Sequence, residues 1–130
     1  MKKLMVLLIS LTVIIVGFLS GCNEQLDSNA DKAKVDWEVD VKGYSVNPIS
    51  GSDYIEKGGS KMIKITVYCS HKQDFRLNQE QTSSDCWVDC PQTFSNYVGN
   101  SVNSQYQITI TISTSSFASQ ETVYLEYVPV

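Results

Sequence analysis

Beyond residue 22, three thiols and one imidazole have the most distinctive chemistry in the 130-residue chain: Cys69-Ser70-His71, then Cys86-x-x-x-Cys90. Thiolates with an imidazole suit tetrahedral zinc or a soft copper site, which makes Cys69, His71, Cys86 and Cys90 one candidate ligand set. The spacing matches no common structural zinc pattern. The preferred reading is therefore a disulfide among Cys69, Cys86 and Cys90 with one thiol left over, and no resident cofactor. A bridge from Cys69 would staple an irregular loop to a strand, and closing about 20 residues contributes roughly 3 kcal/mol. Spacing alone leaves the pairing open.

Little else suggests catalysis. There is no nucleophile elbow, no glycine-rich phosphate loop and no paired-histidine metal motif, so the chain reads as a non-enzyme. His71 lies just past a strand pattern, where a solvated loop histidine is the simpler account. The stretch from Cys90 to Gln120 holds no charged residue and is rich in Ser, Thr, Asn, Gln and Tyr. Such side chains bind adaptably at modest entropic cost, which makes residues 71–104 candidate contact loops. Trp37, Tyr44, Tyr54, Trp87 and Tyr97 could line a sugar-binding face. Trp37 fits a core position better, leaving Trp87 and Tyr97 as binding-surface candidates.

The chain opens with Met1-Lys2-Lys3 and an uncharged run from residue 4 to 19. As a helix this run reaches about 24 Å, short of the roughly 30 Å hydrocarbon core, so it suits a secretory signal better than a span. It ends at Leu19-Ser20-Gly21-Cys22, which resembles the lipobox of prokaryotic lipoproteins. The resemblance implies cleavage after Gly21 and diacylglyceryl transfer to the Cys22 thiol, leaving an acylated N-terminus. Two acyl chains suffice for stable anchoring, each buried CH₂ contributing about 0.8 kcal/mol. The implied location is the cell membrane or outer membrane, with the domain outside the cytoplasm. Asn23 after the cysteine favours outer-membrane sorting where two membranes exist.

Composition narrows the partners. The formal charge of −4 becomes −6 once Lys2 and Lys3 are removed with the signal. An acidic domain repels a phosphate backbone, which argues against nucleic acid. A protein or glycan partner is the expectation. Export also fits the cysteines, which pair in an oxidising compartment.

These features must be positioned by strands. Residues 1–21 read as signal peptide, 22–34 as acylated cysteine and flexible tether, and 35–130 as one domain. Val35, Trp37, Val39 and Val41 alternate with Asp36, Glu38, Asp40 and Lys42, the pattern of a strand with one buried face. Ile63, Ile65, Val67 and Cys69 repeat it, as do Tyr106, Ile108, Ile110 and Ile112, and finally Val123, Leu125 and Tyr127. Tyr54 and Ile55 suggest a short strand, and Gly58-Gly59 a tight reversal. Phe75 and Leu77 suggest another strand, Asn78–Asp85 a loop, and Gly99–Gln105 a turn. Isolated on an edge, the run Ile108–Ile112 would invite aggregation, so it belongs at a sheet centre. No segment after residue 22 has helical spacing over three turns. The expected fold is all-β, a sandwich similar in size and strand spacing to immunoglobulin-like or fibronectin-like domains. The immunoglobulin hallmark bridge would need a cysteine after Cys90, and none exists.

Overall fold

A computed structural model describes residues 31–130. The expected signal, the expected acylation at Cys22 and most of the expected tether lie outside them. Eleven strands form: β1 Lys32–Val41, β2 Ser45–Asn47, β3 Ser50–Glu56, β4 Ser60–Tyr68, β5 Asp74–Thr82, β6 Cys86–Asp89, β7 Thr93–Ser95, β8 Tyr97–Val98, β9 Ser101–Val102, β10 Gln105–Thr114 and β11 Gln120–Pro129. No helix forms among the described residues. One sheet has the order β3-β1-β11-β5-β7, the other β2-β4-β10-β6, and β8 and β9 make a small separate hairpin.

The alternating strands are where the pattern places them, and the inward side chains of the two sheets meet in one core. Val35, Val39, Leu125 and Tyr127 from the first sheet and Ile65, Val67, Ile110 and Ile112 from the second are all but completely buried. The fold is an all-β sandwich. β10 sits between β4 and β6; β4 pairs along the whole Ile108–Ile112 run, and β6 covers its other edge at Thr111 and Ile112.

Two expectations about local structure change. β1 begins at Lys32, inside the expected tether, because Ala33 continues the inward alternation with no exposed surface. Asn78–Asp85 is not simply a loop, since β5 pairs with β11 as far as Thr82. β7 covers only Asp74–Arg76 of β5, and Asn78–Thr82 are all exposed. That part of β5 is wet on both faces, so its sequence shows no apolar alternation. The expected Gly58-Gly59 reversal forms, with the Gly59 N–H donating to the Glu56 carbonyl at 2.8 Å; it carries the chain from one sheet to the other, and only Gly58 takes a positive φ, +81°.

The sandwich has two distinct ends. β1 and β11 run parallel, with Lys34 beside Gln120 and Val41 beside Tyr127. Ten residues of β1 span about 33 Å. At the end where the chain enters, the Lys34 N–H donates to the Ser119 carbonyl at 2.9 Å, and Gly58 and Asp85 both bond to Ser115. At the opposite end lie the β4–β5 loop and the segment from β7 to β10. The aromatic group beneath them stacks Phe94 on Phe75 at 4.8 Å and on Tyr106 at 5.6 Å, with Tyr127 edge-on at 5.1 Å.

Two contacts close the β3 side. The Trp37 indole lies across Gly51 and donates from Nε1 to Asp53 at 2.8 Å, while Lys61 pairs with the other Asp53 oxygen. A Cβ on residue 51 would fall 2.6 Å from the Trp37 ring. Gly51→Ala is expected to cost about 1–3 kcal/mol, the usual range for an overpacked site. The check is a lower urea midpoint at unchanged m-value.

Near the chain entry, the Glu121 carboxylate accepts from the Ser119 N–H at 3.0 Å and from the Ser83 hydroxyl at 2.7 Å. Those donors, the Ser119 amide first, hold its pKa below the ordinary 4.5. A depressed carboxylate stabilises the fold above its unfolded pKa, and that contribution disappears as pH falls through the folded value. Stability measured by urea unfolding at pH 2 to 6 should fall on the acid side of about 4.5, and less steeply in Glu121→Gln.

Candidate functional site: the loop end

The loop end is pinned by one buried amide. Asn96, 1% exposed, donates from Nδ2 to the Cys69 carbonyl at 3.0 Å and the His71 carbonyl at 2.8 Å. Its Oδ1 accepts the Gln73 N–H at 2.9 Å, and its own carbonyl accepts the Asn103 N–H at 2.7 Å. Asn is suited to this place because it offers two donors and an acceptor on one short side chain. The 69–73 and 95–103 segments therefore form one body, although the only ladder within them is the short β8–β9 hairpin.

On this body sits a cleft of about 290 Å³ between the β8–β9 hairpin and Tyr106, lined by Ser95, Asn96, Tyr97, Val98, Ser101, Val102, Asn103 and Tyr106. None of these side chains carries a formal charge. The hairpin turns at Gly99, φ +59°, and a two-residue turn of this kind favours glycine first. Tyr97 is oriented from two sides: its hydroxyl donates to Asp74 at 3.2 Å, and the Lys72 ammonium lies 5.4 Å from its ring centroid. The Asp74 carboxylate raises the Tyr97 pKa, so the phenol stays protonated at neutral pH. Lys72 is itself tied to Asn100 at 2.8 Å. Tyr106 presents its outer part to the cleft while Phe94 packs flat against its ring. The site is chemically simple: aromatic surface, hydroxyls and amides.

Beside it, the Tyr44 hydroxyl lies 3.0 Å from His71 Nε2 and donates to Gln73 Oε1 at 3.3 Å. Burial, followed by the neighbouring Cys69 thiol, raises the Tyr44 pKa and keeps it protonated. Cys69 Sγ is 3.9 Å from His71 Nε2 and donates to the His71 carbonyl at 3.2 Å. Of the four candidate metal ligands, only Cys69 and His71 come together.

The other two are elsewhere, which also removes the expected disulfide. Cys69 bonds to Ser104 just before β10, whereas Cys86 pairs with Thr114 at the far end of that strand. Ten residues along a strand separate those positions by about 33 Å, and Cys86 and Cys90, four apart on extended chain, by about 13 Å. Extending the β6 register puts Cys90 level with Ile110, about 20 Å along the strand from the Cys69 rung. A disulfide needs its Cα atoms within about 7 Å. All three thiols are free. Cys86 is buried, with Sγ 3.6 Å from the Thr122 carbonyl, and half-buried Cys90 faces Glu80 at 3.7 Å. Burial, then the neighbouring acids, raises the Cys90 pKa even though Tyr127 opposes the shift. No group of three His, Cys, Asp or Glu side chains converges among the described residues.

The two binding-surface candidates separate. Tyr97 is at the cleft. Trp87, 54% exposed, stands on the outer face of the second sheet level with Ser113, toward the chain-entry end. Tyr54 is exposed on β3 and Trp37 is core. Asn96 and Asn103 fall inside the candidate contact loops 71–104 but carry no individual signal in the sequence, and Tyr106 reads there only as a strand position. The uncharged composition of residues 90–120 was the only signal that pointed toward them.

An all-β sandwich with an uncharged cleft at one end is the class the geometry defines. A scan against protein-family models finds no match to the chain, and a search of curated proteins finds none either.

Two measurements check this geometry. Thiol titration of the denatured domain should return three free thiols without prior reduction. Asn96→Ala leaves two carbonyls and an amide without their partner. It should lower stability by about 2–3 kcal/mol and expose the 69–73 segment to faster hydrogen exchange.

Proposed function

We propose that this chain is a membrane-anchored extracytoplasmic lipoprotein, acylated at Cys22, and that its sandwich is a binding module of the cell envelope. The observation that carries the binding reading is the uncharged tyrosine–amide cleft at the end of the sandwich opposite the point of chain entry. An anchor at Cys22 approaches through Lys32, and the cleft lies at the opposite end of the sandwich. The Leu19-Ser20-Gly21-Cys22 motif supports the anchor.

A glycan suits the cleft better than a protein. Its volume of about 290 Å³ sits at the small end of ligand sites and accepts a sugar ring rather than a folded surface. A stable protein interface needs roughly 800 Å² on each partner. Tyrosine faces pack against the apolar face of a sugar, and hydroxyls and amides bond to its rim. Asn103 Oδ1 is used by the Gln105 N–H at 3.1 Å, which leaves its NH₂ for a ligand.

Two readouts test the two halves. Mass spectrometry of the membrane-extracted protein should show a diacylglyceryl adduct on Cys22 as the N-terminal residue, abolished in Cys22→Ala. An intact Met1 without lipid overturns the anchor. Binding of the domain to purified, uncharged envelope polysaccharide should fall at least tenfold in Tyr97→Ala and in Asn103→Ala, and stay unchanged in Trp87→Ala. Equal binding by all four proteins overturns the cleft. Capture of a protein partner that survives Tyr97→Ala also counts against it.

A further inference from the structure

At the chain-entry end, the turn between β10 and β11 holds Phe117 out into solvent with 84% of its surface exposed, the most exposed aromatic of the described domain. The turn itself is firmly built. Ser115 donates its N–H to the Asp85 carbonyl at 2.9 Å and its hydroxyl to the Asp85 carboxylate at 3.0 Å. Its carbonyl accepts the Gly58 N–H at 3.2 Å, and its hydroxyl accepts the Phe117 N–H at 3.1 Å. On the other side, the Ala118 side chain is completely buried, and the Ser119 amide is held by Glu121. Backbone on both sides of the ring is therefore fixed, and only the ring lacks a partner. An aromatic side chain has some 150–250 Å² to bury, so leaving it in water forgoes a large apolar gain.

The neighbours have the character of a membrane interface. Lys57 is exposed at the crest of the β3–β4 turn, and Gly58 next to it bonds to the Phe117 turn. Lys32 and Lys34 flank the entering chain, and Tyr54, 52% exposed, pairs with Lys34. Aromatic rings at headgroup level, ringed by lysines whose stems lie along apolar surface, are a recurring interfacial arrangement. Glu56 and Asp85 stand close by and offset the lysines, which makes apolar insertion, rather than attraction to anionic lipid, the main term.

What covers the ring follows from the length of chain leading to it. Lys32 is ten residue steps on from Cys22, a reach of at most about 35 Å, so a bilayer holding an acylated Cys22 is always within that distance of the chain-entry end. Tethering at this range makes insertion of the ring an intramolecular step, so it needs far less affinity than a free domain would.

We infer that Phe117 is a lipid-contacting residue. It seats the chain-entry end on the surface of the bilayer that holds acylated Cys22, and so points the Tyr97–Tyr106 cleft away from the membrane. This rests on the anchored-lipoprotein reading.

The test uses the full acylated protein in phosphatidylcholine vesicles. Phe117→Trp is made in a Trp87→Phe background, so that residue 117 carries the exposed indole while Trp37 stays buried. The expected result is a blue-shifted emission, lost when lipids brominated near the headgroup end of the chain are included. It should be the same with and without added phosphatidylglycerol. The same sample is weighed for the diacylglyceryl adduct. An acylated protein whose residue-117 indole is neither shifted nor quenched overturns the lipid contact and leaves the anchor intact. A sample without the adduct removes the anchor, and the inference with it. A blue shift that appears without vesicles and grows with protein concentration assigns the ring to a second copy of the chain and likewise overturns the inference. Phe117→Ser should keep the adduct and the thermal midpoint of the wild type, which shows that the ring is not needed for folding.

Discussion

The parallel ladder between β1 and β11 is the constraint on which the molecule rests. It places the first described strand and the last side by side at the middle of the five-stranded sheet, in register from Lys34–Gln120 to Val41–Tyr127. Every other strand of that sheet is added outward from this pair. Because the two run the same way, the chain must enter at one end, and the last residues must finish at the other, where the Val130 N–H donates to the Asp74 carbonyl at 2.9 Å. The polarity of the domain, with a compact entry end and an irregular loop end, is a direct result. An antiparallel first-and-last pair would have put β11's last residues beside the point of entry.

Asn96 shows how irregular chain becomes rigid without a ladder. Segments 69–73 and 95–103 contribute only short pairings of their own, so their buried carbonyls and amides need a partner from elsewhere. One primary amide supplies three bonds at once. Beneath it, the stacked rings of Phe75, Phe94 and Tyr106 provide a flat apolar floor. The cleft thus stands on a polar pin and an aromatic base, and its own lining residues are free to face outward.

Much of the sandwich was legible in the sequence because burial on one face of a strand writes a period of two. Val35 to Val41, Ile63 to Cys69, Ile108 to Ile112 and Val123 to Tyr127 all follow it, and all are buried. Where the period failed, a physical reason exists. Asn78–Thr82 belongs to a strand with water on both faces, and Ala33 is too small to register as apolar although it is fully enclosed. The site was less legible. Thiol spacing suggested a bridge or a metal set, but chemical type does not report on distance, and strand geometry separates Cys69 from Cys86 by the length of β10. Asn96 resembles any loop asparagine, because its role exists only once two distant segments meet.

The central position of β11 has a consequence for how the chain is made. Its ladders reach back some ninety residues to β1 and about forty to β5, so the most distant contacts in the sequence are also the innermost. A nascent chain that stops short of residue 120 leaves β1 with only β3 beside it and the inner faces of both without Leu125 and Tyr127. Every residue through β11 must therefore emerge before the sheet can close. A chain that cannot fold early stays extended, and its two inner faces stay open to water, until β11 arrives to close them.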